Sequence, residues 1–244
     1  YLYKAVASAT KVIQALDNGT ADGINEEKTN QYKGEAYFML GFAYGELATY
    51  YGDCVLNKGM TLEEAYEAVR TPKKEVMAYA YECLDKAIEL LPDSHTGQQR
   101  PTKGVALGIK ARFALYHEDW ETAAQAAEQC MNSKVYKLHD NYGELFKADS
   151  SPELMFYFKG DLTLKKGYGL FDNVYNYVIR KIGGACNRSP SLELFCSYTC
   201  TDGLPIKKSP LSNPKDPFAN RDPRLAMTIQ PFKTKDSTDY AEYE

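Results

Sequence analysis

The sequence predicts a mostly α-helical protein, built from antiparallel helix hairpins and continued by a loop-rich region with a few short strands. Three observations carry that expectation. Apolar residues recur at helical spacing through most of residues 1–140. Caps and breakers divide this stretch into separate helices. Beyond Tyr136, and densely from Gly160, the chain is punctuated by Gly, Pro, Asn, Ser and Asp, the composition of turns and long loops. The expected organisation is a helical scaffold over residues 1–140 and a loop-rich, mostly irregular region over residues 141–244 of the same domain.

Leu2, Val6, Ala9, Ile13 and Leu16 mark one face of a first helix, which Asp17-Asn18-Gly19 stops. Asn25 caps a second helix that runs to Tyr51, where Gly52-Asp53 breaks it. Residues 36–51 are apolar nearly all round, so this helix is expected to be buried on several sides. Thr61-Leu62-Glu63-Glu64 reads as a capping box opening a short helix to about Val69. Thr71-Pro72 reads as a capping hydroxyl before a first-turn proline. The helix it opens carries Val76, Ala80, Cys83, Leu84, Ala87, Ile88 and Leu91 as one stripe and ends at Pro92. Thr102 opens a further helix to about Tyr116, and Asp119 caps another from Trp120 to about Met131. Residues 154–158, Leu-Met-Phe-Tyr-Phe between Pro152 and Gly160, read as a strand. Asp222-Pro223-Arg224-Leu225 can cap a last short helix.

Two helix pairs carry the spacing of a tetratricopeptide repeat. Leu40-Gly41-x-x-Tyr44 pairs with Ala80, Leu84, Ala87 and Pro92, and Ala111 and Ala114 pair with Trp120, Ala123, Ala127 and Cys130. Small residues at these positions let helices approach closely while large ones fill the gaps. This places Trp120 at a packing position, a structural role.

Composition removes several function classes. Of 244 residues, 29 are Lys or Arg and 33 Asp or Glu, a net charge of −4 that argues against a nucleic-acid partner. The longest uncharged run, residues 36–45, is about half a membrane span. Apolar and charged fractions of 44% and 25% are those of a globular chain. The unusual count is 20 tyrosines, side chains that supply stiff amphipathic contact area and, for most of them here, helix-interface padding.

Five collinear blocks resemble the SusD/RagB family of surface lipoproteins of Bacteroidota. The first is Gly34-Glu35-Ala36-Tyr37-Phe38-Met39-Leu40 running into Leu47-Ala48-Thr49-Tyr50-Tyr51-Gly52-Asp53; two more cover residues 75–92 and 100–138. The last two are Asp202-Gly203-Leu204-Pro205-Ile206 and Asn220-Arg221-Asp222-Pro223-Arg224-Leu225. The resemblance implies tetratricopeptide-like helices as scaffold and irregular loops as ligand face. It implies non-enzymatic capture of oligosaccharides, or of peptides in some members, for a SusC-like TonB-dependent outer-membrane transporter in polysaccharide utilisation. Family members are longer. The resemblance therefore implies a piece of a longer chain, with the lipidated N-terminal cysteine that would hold it to the outer membrane lying outside it. The competing reading of the helices alone is a tetratricopeptide scaffold that binds a peptide in its concave face.

The leading candidate ligand site is Tyr168, Phe171, Tyr175 and Tyr177 with Asn173, Asn176 and Arg180 among them. A sugar ring calls for a flat aromatic against its apolar face and for amide or guanidinium groups at its hydroxyl rim. The same residues also allow Phe171, Tyr175 and Ile179 to form one buried face of a short element. The Asp202-Gly203-Leu204-Pro205 block reads as a turn, and Arg221 and Arg224 as partners of nearby Asp or carbonyl groups. Cys54, Cys83 and Cys130 read as apolar fillers, whereas Cys186, Cys196 and Cys200 fall in loops where an outer-surface location permits a disulfide. His95, His117 and His139 are scattered without metal-ligand spacing, and no phosphate loop or nucleophile motif occurs, so neither cofactor nor catalytic residue is expected.

Overall fold

A computed structural model describes residues 1–19, 23–95, 100–146, 151–157, 189–229 and 231. The chain divides into two compact units, one of Tyr1–Leu138 with Pro152–Phe156 and one of His139–Ser151 with Tyr157–Glu244.

In the first unit the helices fall where apolar periodicity and caps put them: α1 Leu2–Asp17, α2 Glu26–Tyr51, α3 Leu62–Glu67, α4 Lys73–Leu90, α5 Lys103–Tyr116 and α6 Trp120–Asn132. The Asn25 side chain accepts from the Lys28 N–H, Thr102 from Val105 and Asp119 from Thr122. The capping box of α3 is complete: Thr61 Oγ1 accepts from Glu64 N at 3.3 Å and Glu64 Oε2 from Thr61 N at 2.8 Å. The start of α4 differs from expectation. Thr71 does not cap it. Its backbone instead pairs with Cys54 in an antiparallel bridge, Thr71 N to Cys54 O at 2.9 Å and Cys54 N to Thr71 O at 3.2 Å. The bridge carries Asp53 to the helix start, where its Oδ1 accepts from Lys73 N at 2.7 Å.

α2 packs against α1 and α4 and reaches α5, while α5 packs against α4 and α6. α2 and α4 run antiparallel, since Gly34 meets Leu90 and Leu91 whereas Gly41 meets Ala80 and Leu84. The Lys33–Asp17 ion pair at 2.6 Å and the Tyr3 hydroxyl on Val55 O at 3.0 Å set α1 antiparallel to α2 as well. Phe38, Tyr44, Val76, Leu84, Val105 and Phe113 are fully buried in this core, each apolar side chain contributing about 1.5–3 kcal/mol. The tyrosine padding is visible here. Tyr44 stacks edge-on to Tyr79 at 5.5 Å, and Tyr37 and Tyr81 lie partly buried against the core.

Two sequence expectations fail for identifiable reasons. The run at residues 154–158 forms no strand over its described residues 154–157; Phe156 inserts its ring against Phe38 at 5.5 Å and Phe42 at 6.4 Å, and Met155 reaches Gly108. Met155 and Phe156 plug the helical core, and the described backbone of the run finds no partner strand. Trp120 is 61% exposed and thus does not take the repeat's packing position. Only α5 packs closely on α6, and no further helix among the described residues covers the face that carries Trp120.

Among the described residues of the second unit the helices are α7 Tyr142–Leu145, α8 Leu192–Ser197 and α9 Pro223–Thr228. α9 starts as the sequence predicts, with Asp222 accepting from Arg224 N and Pro223 in the first turn. α7 and α8 are not expected from the sequence, yet each has its cap, Asn141 and Ser191. The Asp202 turn is present, with Gly203 at φ 79°, Leu204 N on Asp202 Oδ1 at 3.0 Å and Ser209 Oγ on Oδ2 at 2.6 Å. Those bonds, that from Ser209 first, hold the Asp202 carboxyl below the usual range. Arg221 is 6% exposed and donates to the carbonyls of Pro217, Phe195 and Tyr198 at 2.8–2.9 Å, its plane over the Phe195 ring at 4.8 Å. Arg224 pairs with Asp222. Among the described residues the only strand-like pairings are two isolated bridges, Cys54 with Thr71 and Cys200 with Arg221. Cys54, Cys83, Cys130, Cys196 and Cys200 are free thiols, and Cys186 lies outside the described residues.

A Cβ added at Gly41 would lie 2.6 Å from Leu84 Cγ and 2.9 Å from Ala80 O, the latter a backbone atom that cannot yield. Gly41→Ala is expected to destabilise the protein by about 1–3 kcal/mol through overpacking, outweighing a helix-propensity gain of about 1 kcal/mol. Urea unfolding measures this, and an unchanged or raised midpoint would show slack at the crossing. Arg221→Lys keeps the charge but cannot reach three carbonyls in one plane. It is expected to cost about 2 kcal/mol or more, read from the same transition.

Candidate functional site

Tyr168, Phe171, Tyr175, Tyr177 and Arg180, with Asn173 and Asn176, lie outside the described residues. The site that can be built from coordinates belongs to the helical unit. Because α1 and α2 are antiparallel and α2 and α4 are antiparallel, α1 and α4 begin where α2 ends. α5 lies alongside α2 in the same direction, with Thr49 Oγ1 3.1 Å from His117 Nε2, so α5 also ends there and α6 begins there. The topology therefore gathers Tyr1, Tyr3, Tyr50, Tyr51, Tyr116 and Trp120, all exposed, at one end of the array.

A cleft of about 570 Å³ opens at this end. Buried Leu47 and Cys54 form its base with Leu2 and Val55 beside them, and Tyr1, Tyr3, Tyr51, Asp53 and Arg70 complete the lining. Tyr51 sits in the last turn of α2 and is 71% exposed. Asp53 follows the helix-ending Gly52, whose φ of 72° turns the chain back. Arg70 precedes the bridge that pairs Thr71 with Cys54, and this register sets it across from Val55. The Asp53 carboxylate spends one oxygen on the start of α4. Arg70 has no hydrogen bond or ion pair among the described residues.

The cleft wall is fixed from behind by Tyr44. Its side chain is wholly buried, and its hydroxyl donates to Asn57 O at 2.8 Å while accepting from Asn57 N at 2.9 Å. Burial raises this phenol well above the ordinary tyrosine value. Burial, with Cys54 second, pushes Tyr3 up to about 12, and burial raises the Cys54 thiol, so neither group ionises near neutral pH. Burial and Lys73 lower His117, leaving a neutral imidazole on Thr49. The arrangement offers exposed aromatic surface, a guanidinium without an ion pair among the described residues, and a carboxylate, with no activated nucleophile among these groups. Among the described residues no group of His, Cys, Asp or Glu could hold a metal ion, and no helix is long and apolar enough to cross a membrane.

A second groove of about 550 Å³ runs between α1 and α2 and is lined by Ala5, Ala9, Val12, Leu16, Ala36 and Met39, with Tyr32 and Glu35 among its other residues. Glu35 is already committed to Arg100 and Gln31, so its carboxylate is not free to orient a polar ligand there.

Residues 1–115 match the model of a SusD-like family described as starch-binding and associating with the outer membrane. A curated relative, SusD-like protein P2 of Formosa agariphila, is 27% identical over 146 residues, 58% of this chain and 29% of its own length. Over these residues the chain is similar to the SusD-like family. Its fold is that of solved SusD-like proteins. A SusD-like carbohydrate-binding protein from Bacteroides fragilis aligns with a TM-score of 0.74 and 23% identity, covering 93% of this chain and 45% of that one. Another SusD-like protein from Bacteroides fragilis aligns at 0.73 and 22%, covering 93% and 48%. The chain thus spans less than half the length of these relatives.

The cleft is not legible in the sequence. Its residues come from three separated segments, and the one local signal was Tyr50-Tyr51 directly before Gly52, a doublet in a last helical turn that cannot face the core with both rings. Tyr44→Phe leaves the Asn57 N–H and C=O without their partner, and a loss of about 1–3 kcal/mol is expected. Hydrogen exchange at Asn57 and Gly59 should accelerate; unchanged protection would show that the hydroxyl does not hold this loop.

Proposed function

We propose that the protein is a cell-surface glycan-binding component of a nutrient-uptake system, which captures oligosaccharides and delivers them chemically intact to a SusC-like TonB-dependent transporter. An N-terminal lipid outside this chain would hold it to the outer membrane. The observation that carries the reading is the match of residues 1–115 to a family described as starch-binding and outer-membrane-associated, supported by the carbohydrate-binding name of the Bacteroides fragilis relative. A tetratricopeptide scaffold for peptides would share the hairpins, and the family match favours the glycan reading over it.

Binding of this kind needs no catalyst. Sugar rings stack on aromatic faces while guanidinium, amide and carboxylate groups replace water at their hydroxyls. The Tyr168–Arg180 segment has the residue types for this and is proposed as a ligand-contacting segment. Calorimetry with maltoheptaose, laminarihexaose, cellohexaose and the anionic polygalacturonate tests the reading, together with assay of each sugar for cleavage. Binding without cleavage is expected, and Tyr175→Ala with Tyr177→Ala should weaken it at least about tenfold, roughly 1.4 kcal/mol. Unchanged affinity, or loss of the thermal transition in the double variant, would remove these tyrosines from the site.

A further inference from the structure

The cleft at the aromatic end of the helical unit is built from residues outside the candidate segment 168–180, and among the described residues the Tyr51 and Arg70 side chains there make no hydrogen bond or ion pair. The Tyr51 ring is exposed and makes no ring contact or hydrogen bond among the described residues, an arrangement that leaves one broad apolar face to water. Arg70 is exposed and makes no ion pair among the described residues, although Asp53 lines the same cleft. Beneath them the apolar base of Leu2, Leu47 and Val55 is fixed by the Cys54–Thr71 bridge, and by the Tyr3 hydroxyl on Val55 O. The volume of about 570 Å³ falls in the range of small-molecule sites, about 300–1,000 Å³.

We propose that this cleft is a second carbohydrate subsite, in which a neutral sugar ring stacks on Tyr51 while Arg70 donates to its hydroxyls and Asp53 accepts from them. The pairing of one donor group with one acceptor group selects the class of ligand. An anionic sugar would meet the Asp53 carboxylate and a cationic one the Arg70 guanidinium, whereas a neutral polyol uses both. The apolar base suits the C–H face of the ring, and the open rim suits a unit within a longer chain. Asp53 is held in place by its bond to Lys73 N, so its aim does not depend on the ligand. A weak second contact on the same molecule raises overall affinity for long chains through effective concentration, without a tight site of its own.

The proposal rests on the glycan-binding reading and is tested so that the two fail separately. Tyr51→Ala and Arg70→Gln remove exposed groups with no structural partner, and both variants should keep the thermal midpoint of the intact protein. Asp53 is left alone because it caps α4. By calorimetry each variant should lower affinity for whichever of maltoheptaose, laminarihexaose or cellohexaose the intact protein binds by at least fivefold. Tyr66→Ala, exposed but outside the cleft, should leave affinity unchanged. If Tyr51→Ala and Arg70→Gln bind as the intact protein does while the Tyr175/Tyr177 variant is weakened, the subsite is overturned and the glycan reading stands. If the intact protein binds none of the four sugars, both fall. If polygalacturonate alone binds and Arg70→Gln abolishes it, the cleft is an anion site and the neutral class is wrong.

Discussion

The helical unit depends on how closely α2 can approach its neighbours. α2 packs against α1, α4 and α5, and it accommodates them because Gly34, Gly41 and Gly45 present no side chain where Leu91, Leu84 and Phe113 press against it. Interiors pack at crystal-like density, so a helix with large residues all round would hold its neighbours apart and leave voids. Alternating glycine with Phe38, Tyr44 and Leu47 gives α2 recesses and projections in turn. The antiparallel array is the consequence, and so is the gathering of helix ends that brings Tyr1, Tyr51 and Trp120 to one end of it.

Buried polar groups in both units mark where the chain leaves regular structure. The hydroxyl of Tyr44 satisfies both backbone groups of Asn57 from inside the core, and the guanidinium of Arg221 satisfies three carbonyls in a segment with little helix. In each case a loop that cannot pair its own backbone borrows a side chain to do so. The cost of burying an arginine is offset by pairing its terminal donors, and its neighbours supply carbonyls from Phe195, Tyr198 and Pro217 together. Its Nε alone among the described residues remains buried without a partner.

Helix boundaries were legible because their causes are local. Asn25, Thr61 with Glu64, Thr102 and Asp119 each act within four residues of the backbone they satisfy. Thr71 misled because its competitor, Asp53, is remote in sequence and arrives only through the bridge. The apolar run at 154–158 misled because length and hydrophobicity do not separate a strand from a plug; only a partner strand would. Trp120 was misplaced because burial on α6 depends on which helix lies beyond it, and the spacing of a repeat is silent on where an array stops. Asn141 and Ser191 carried readable cap signals for α7 and α8 that the surrounding turn residues obscured. Of the candidate site, the aromatic supply was visible from the tyrosine count, while the cleft was not, since Leu2, Tyr51 and Arg70 meet only after three helices have packed.

The bridge between Cys54 and Thr71 has a consequence for divergence. It pinches the polypeptide where the stretch from Val55 to Arg70 leaves and rejoins the hairpin, while Tyr3 and Tyr44 hold the start of that stretch at Val55 and Asn57. Such an appendage can lengthen, shorten or exchange its surface while the helices on which it is mounted keep their register. The closure entropy of a longer excursion rises only slowly with its length. A scaffold with this architecture can retune what it recognises by rewriting one excursion, leaving its core untouched.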